Sequence, residues 1–221
     1  MFKKLYYAMH DAFSKPEQRG EYSAGAWQEM VRERVLAQTE GMSGSLLELG
    51  CGEGLFLTAL REKNKQVFLF GIDIWETILD RARERCREKG ITDISLRQAD
   101  AKKLPFENAW FDATVCMNVL FNLPDEAAAH AVIAEMSRVT KLGGTAIFDI
   151  RNAGNPLLAL KYALAPLYDA TVKDLPLKTY HLSRILCAAK DAGFEIVSVE
   201  PVGLPMKALA PLLVITGKKV R

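Results

Sequence analysis

Seven consecutive residues, Glu48-Leu49-Gly50-Cys51-Gly52-Glu53-Gly54, set three glycines at alternate positions behind a carboxylate. Glycine takes positive φ without strain and lets another molecule approach the backbone closely. A turn of this kind can therefore cradle a ligand, although any tight strand-to-helix turn can use it for packing alone. Asp73 lies about twenty residues on. A carboxylate there can accept two hydrogen bonds from the hydroxyls of a ribose, charge-assisted bonds worth roughly 1.5–3 kcal/mol each. The alternative is a helix N-cap, and the two roles can coexist. Asp100-Ala101 sits where an adenine amino group could meet a carboxylate. Asp112 lies inside Phe111-Asp112-Ala113-Thr114-Val115-Cys116-Met117-Asn118, a run whose end at Asn118 would face whatever the glycine turn holds.

These residues need strands and helices to position them. Residues 45–49, 67–72, 94–98, 111–117, 145–150, 194–200 and 209–216 read as short apolar strands. Helices are expected over roughly 25–40, 54–63, 75–89, 125–140 and 183–192. In the first of these, Trp27, Val31, Val35 and Leu36 recur at helical spacing. Trp75, Ile78, Leu79, Ala82 and Cys86 form one face of the third, and its other face carries a charge run suited to solvent. Gly90 is expected to close it as C′. The last helix has Ser183 as a candidate cap and Gly193 beyond its end. Such alternation implies an α/β fold with a mostly parallel sheet and helices on both faces, and ligands bind such sheets at the carboxyl ends of the strands.

Bulk properties narrow the function. With 221 residues the chain suits one large α/β domain. Its 49% hydrophobic and 25% charged residues are ordinary for a globular protein. A net charge of +2 is too small to imply nucleic acid or an anionic membrane as partner. Cys51, Cys86, Cys116 and Cys187 include no C-x-x-C pair, so neither a metal site nor a disulfide framework is expected, and a reducing, cytoplasmic setting is the simplest reading. Met1-Phe2-Lys3-Lys4 faintly suggests the start of a secretory signal, but His10 and Asp11 interrupt the short apolar stretch behind it and no cleavage site appears. No apolar run reaches the length of a membrane span, so stable membrane insertion is not expected.

Taken in order, E-x-G-x-G-x-G behind a strand, Asp73, Asp100-Ala101, Leu104-Pro105-Phe106 and Phe111-Asp112 resemble the motif series of class I S-adenosylmethionine (SAM)-dependent methyltransferases. Arg138-Val139 before Lys141-Leu142-Gly143-Gly144 is similar to that family's turn into its fifth strand, and Ala192-Gly193-Phe194 to its turn into the sixth. The resemblance covers roughly residues 45–217 and is closest to the subgroup containing quinone-biosynthesis and small-molecule methyltransferases. It implies a Rossmann-like doubly wound sheet of about seven strands, mostly parallel with an antiparallel last strand. It implies SAM as cofactor, with S-adenosylhomocysteine (SAH) as product. It also implies roles: Gly50, Cys51, Gly52 and Gly54 beside the methionine half, Glu48 toward its ammonium, Asp73 on the ribose and Ile74 against the adenine. Asp100 and the backbone of Ala101 would meet the adenine edge, and Asn118 would lie near the sulfonium. No metal is implied.

Residues 1–44 are expected to form an N-terminal helical cap on a 45–221 core, with 151–181 inserted as a substrate lid. The insert is apolar and aromatic through Leu157, Leu158, Leu160, Tyr162, Leu164, Leu167 and Tyr168, broken by Pro156, Pro166 and Pro176. An apolar or aromatic small-molecule acceptor fits this, as do lid packing and a homo-oligomer contact. If the acceptor is a hydroxyl, a base can assist. His181 is the best-placed catalytic candidate, ahead of His10 and His130, with a helix-terminal surface histidine as its alternative. Tyr22 and Trp27 are candidates to cover the cofactor, and Arg151 either meets an acidic acceptor or pairs within the structure.

Three other functions compete. A nicotinamide-dependent reductase needs a longer glycine turn and a Tyr-x-x-x-Lys pair, and no tyrosine here has lysine four residues on. A non-catalytic protein of the same fold, acting as an interaction partner, would not need the complete cofactor series. A nucleic-acid methyltransferase that modifies amino groups would carry an Asn/Asp-Pro-Pro-aromatic motif, and Asn118-Val119-Leu120-Phe121 stands at that position instead.

Overall fold

Most of the parallel strands here are apolar runs joined through helices, and the pairing reflects that. The computed structural model describes residues 26–158, 160, 162, 177–204 and 206–221. Helix α1 (Ala26–Thr39) leads into β1 (Ser45–Leu49), α2 (Leu55–Lys63), β2 (Phe68–Asp73), α3 (Glu76–Glu88) and β3 (Ile94–Gln98). Strand β4 (Phe111–Cys116), a short 3-10 turn at Leu120–Asn122, α4 (Glu126–Val139), β5 (Thr140–Arg151), α5 (Leu182–Asp191), β6 (Phe194–Val202) and β7 (Leu212–Lys219) complete the order. The seven strands form one sheet in the order β3-β2-β1-β4-β5-β7-β6. Strands β1 to β5 pair in parallel, and β7 runs antiparallel between β5 and β6. The chain reverses its direction of strand addition between β1 and β4, which opens a crevice at their carboxyl ends.

Alternation along the strands feeds two cores. Leu47 and Leu49 of β1 join Val132, Ile133 and Met136 of α4 and Ile185 and Ala189 of α5 on one face. Leu46 joins Val31 and Val35 of α1, Phe56, Leu57 and Leu60 of α2 and Leu79 of α3 on the other. Helix α1 is thus part of the core. Gln38 and Arg34 also bond Glu200 of β6, and Thr216 of β7 donates to Gln38.

Helix ends obey local chemistry. Gly90 takes φ +64° after α3, where its N–H bonds the Arg87 carbonyl and the Ile91 N–H bonds that of Cys86, the paired bonds of a Schellman close. Asp125 caps α4 by accepting from the Ala128 N–H at 2.8 Å.

Several expectations need correction. Trp75 is not on the buried face of α3: it occupies the N-cap and is 57% exposed, because the chain is still extended there. Ser183 does not cap α5. His181 holds that position, with no side-chain cap, and the helix begins at Leu182. Strand β5 starts at Thr140 rather than Thr145. Its first residue pairs with Phe111, and the pairing then skips to Thr145 opposite Ala113, leaving Gly143 at φ +76° in the bulge. Strand β7 lies three residues beyond the expected 209–216, at Leu212–Lys219. His10, Tyr22, Leu164, Pro166, Leu167, Tyr168 and Pro176 lie outside the described residues.

Among the described residues, no helix is long and apolar enough to cross a membrane, and no group of three metal-ligating side chains forms.

Candidate active site

The carboxyl ends of β1, β2 and β4 meet at the crevice, and the glycine turn is its floor. After Leu49 the chain turns through Gly50 at φ +69°, and a Cβ at Gly50 would stand 2.2 Å from Val119 Cγ2. The turns after β1 and β4 therefore touch, and only glycine fits between them. The turn is pinned from β2. The Cys51 N–H bonds the Ile72 carbonyl at 2.9 Å, and the Gly52 N–H bonds Asp73 Oδ2 at 3.0 Å. Asp73 Oδ1 accepts from the Trp75 N–H at 3.1 Å, so this carboxylate also organises the start of α3. Asp73 does not cap that helix, since Trp75 holds the N-cap with no side-chain cap; instead each carboxylate oxygen holds one backbone N–H and keeps a further lone pair.

Glu48 is buried in the floor at 4% exposure, and its Oε2 has no hydrogen-bond partner among the described residues. Burial pushes its carboxyl well above the usual glutamate range. The Arg32 guanidinium opposes that rise, and the Asp73 charge adds to it. Arg32 comes from α1, is buried and also pairs with Glu29. Sequence reasoning missed it, since Val31-Arg32-Glu33-Arg34-Val35 reads as two apolar residues and a solvated charge face.

Glu53 is the other missed residue of the turn. It is buried, its carboxylate pairs with Arg81 at 2.8 Å, and its carbonyl accepts from Arg85 Nε, which moors the turn to α3. Cys51 is buried in the same turn. Burial first, then the charges of Glu48 and Asp73, push its thiol well up, which keeps it protonated and un-nucleophilic.

The remaining candidates divide. Ile74 is 53% exposed at the crevice rim, next to Trp75. Asp100 and Ala101 lie beyond the end of β3. There Asp100 Oδ1 accepts from the Lys102 N–H, Oδ2 lies 3.5 Å from Lys102 Nζ, and Ala101 packs against the core. Asn118 stands at the end of β4 with φ +57°. Asp112 is at the opposite end of the same strand, about 20 Å away at roughly 3.3 Å per residue. Its Oδ2 accepts from the Ser45 N–H, the Ser45 hydroxyl and Lys141 Nζ. Burial opposes ionisation there, but Lys141 and Ser45 outweigh it and hold the carboxyl below its usual range. Asp112 therefore fastens β4 to the start of β1 and takes no part in the crevice. His181 is exposed beside Tyr180, whose hydroxyl donates to the Leu120 carbonyl just past β4.

A family model described as a methyltransferase domain matches residues 46–144. The phosphatidylethanolamine N-methyltransferase of Cereibacter sphaeroides is 35% identical over 162 residues, which cover 70% of this chain and 76% of that protein. A ubiquinone biosynthesis O-methyltransferase of Methylococcus capsulatus is 29% identical over 178 residues, 76% of this chain and 70% of that one. The magnesium protoporphyrin IX methyltransferase of Synechocystis PCC 6803, solved with bound SAH, superposes with a TM-score of 0.69 at 16% identity, covering 97% of this chain and 99% of that one. That last likeness is one of fold. The domain match, the level of identity over most of both chains and the strand order together make this chain a member of the class I SAM-dependent methyltransferases, with SAM as its methyl donor.

Proposed function

We propose that the enzyme methylates a small, largely apolar acceptor at the carboxyl edge of the sheet, with SAM lying along the turn from Glu48 to Gly54. The observation that carries the acceptor class is the rim of that edge. Exposed apolar side chains stand on the loops after β5 and β6 at that edge: Leu157, Leu160, Leu204 and Met206, with Trp75 farther along the rim after β2. Of two similar enzymes, one is named for phosphatidylethanolamine and the other for ubiquinone biosynthesis, and both names point to molecules with large apolar parts.

The floor fits the donor. Its methionine end carries an ammonium and a carboxylate. Glu48 Oε2, buried without a partner, suits the first, and the buried Arg32 suits the second. Asp73 would hold the ribose, Ile74 would lie on the adenine, and Asp100 with the Ala101 N–H would meet its edge. Gly50, Cys51, Gly52 and Gly54 would supply close backbone approach, and Asn118 would lie near the sulfonium. SAM, when bound, supplies an electrophilic methyl group. The chain's own task is then to exclude water and hold the nucleophile in line, which matters more than acid–base help. His181 remains the candidate base for a hydroxyl acceptor. Residues 1–44 are read as the cap and 151–181 as the lid of this site.

The test is transfer of labelled methyl from SAM by the full chain. A catechol, phosphatidylethanolamine vesicles, transfer RNA and a mixed protein extract are offered in parallel. Label is expected in the catechol or the lipid. Label in RNA or protein alone would overturn the small-acceptor reading.

A further inference from the structure

Strands β4 and β5 end in a buried charge network that joins the crevice to the inserted segment. Arg151, the last residue of β5, is 2% exposed, as is Asp149 two residues before it on the same strand face. Arg151 Nη1 donates to Asp149 Oδ2 at 2.8 Å, Nη2 to Asn118 Oδ1 at 2.9 Å and Nε to the Tyr162 hydroxyl at 3.2 Å. Its guanidinium carbon lies 4.3 Å from the centre of the Phe121 ring. The second oxygen of Asp149 accepts from the Asn118 N–H at 2.5 Å. Asn118 is thus gripped twice, by backbone and by side chain, in a left-handed conformation that asparagine tolerates better than most residues other than glycine.

The direction of the grip has a chemical consequence. Because the amide oxygen of Asn118 is committed to Arg151, its NH2 is the group left for a ligand, and no acceptor for it exists among the described residues. The same guanidinium reaches Tyr162, eleven residues on in the insert. The base of the insert is anchored as well. Asn155 Oδ1 accepts from the Leu158 N–H, and Asn152 Nδ2 donates to carbonyls of the loop between β6 and β7.

We infer that Arg151 is a positioning residue: it orients the Asn118 amide toward the crevice and ties the insert to the end of β4, so that the two segments order together. The link to ligand affinity rests on the placement of Asn118 proposed above; the link between the segments does not.

Two full-length variants test this. Arg151→Lys keeps a cation beside Asp149 but cannot make all three bonds at once. Asp149→Asn/Arg151→Met removes both charges and retains an acceptor for the Asn118 N–H. Backbone hydrogen exchange is read without ligand at 117–122 and 152–158, and SAH affinity by calorimetry. In both variants, exchange is expected to rise about tenfold or more in the two segments together. SAH binding should weaken about tenfold, while the thermal midpoint of Arg151→Lys stays near that of the parent. Unchanged exchange in either segment, or full SAH affinity despite loosened segments, would overturn the inference. If the double variant does not fold, Arg151→Lys decides alone. If the parent chain binds no SAH, the cofactor placement fails, and the exchange result still decides the coupling.

Discussion

Arg151→Met alone is expected to lower folding stability by about 3–5 kcal/mol, because it strands a carboxylate in the core. Asp149 is buried, and burial already pushes its carboxyl up against the pull of Arg151 and the Asn118 N–H. Without the guanidinium the burial effect dominates. The folded carboxyl then holds its proton at pH values where the unfolded one has lost it. Stability of the variant should therefore fall as pH rises above the unfolded aspartate value, and its deficit against the parent should shrink in acid. In thermal unfolding the deficit corresponds to roughly 6–20 °C for a chain of this size. The companion change Asp149→Asn should recover most of it. A single variant as stable as the parent at neutral pH would show that the pair is not the buried ion pair described.

Asp73→Ala is expected to weaken SAH binding by about 1–3 kcal/mol, or roughly 5- to 150-fold, through loss of the ribose bonds. The same change orphans two backbone donors, the N–H groups of Gly52 and Trp75. A stability loss of about 1–2 kcal/mol should accompany it. Calorimetry and thermal unfolding of the same variant separate the effects. Loss of stability with full affinity would mean that Asp73 only builds the turn, and the ribose assignment would fall.

Much of the fold is legible in the residues themselves. Strand β1 falls at Ser45–Leu49 as expected, because its apolar run ends at a glycine that nothing larger can replace. Gly90 and Asp125 mark helix ends because each satisfies backbone groups that the helix leaves orphaned. The features that stay hidden depend on tertiary contact. Arg32 carries a charge that a local pattern assigns to solvent, and only the crossing of α1 over the sheet buries it; for Arg151 structural pairing is one of two readings of the sequence, and the approach of β4 to β5 supplies its partners Asp149 and Asn118. Asp112 misleads in the opposite sense. It belongs to the motif run that ends at Asn118, but an extended strand carries its two ends to opposite edges of the sheet, and Asp112 becomes a fastening for β1. Trp75 resembles core because it shares helical spacing with Ile78 and Leu79, yet it precedes the first helical residue.

The most direct test of the cofactor site is calorimetric titration of the full chain with SAH, in buffers of different ionisation enthalpy, with NADH as control. Burial pushes the Glu48 carboxyl well above the usual glutamate range, and a ligand ammonium would favour its charged form. Micromolar SAH binding is expected, with release of a proton at a pH between the ordinary glutamate value and the raised one. No release is expected in Glu48→Gln, and no heat with NADH. Folded protein that ignores SAH, or that binds it with no proton release and no change in Glu48→Gln, would contradict the placement of SAM on this turn.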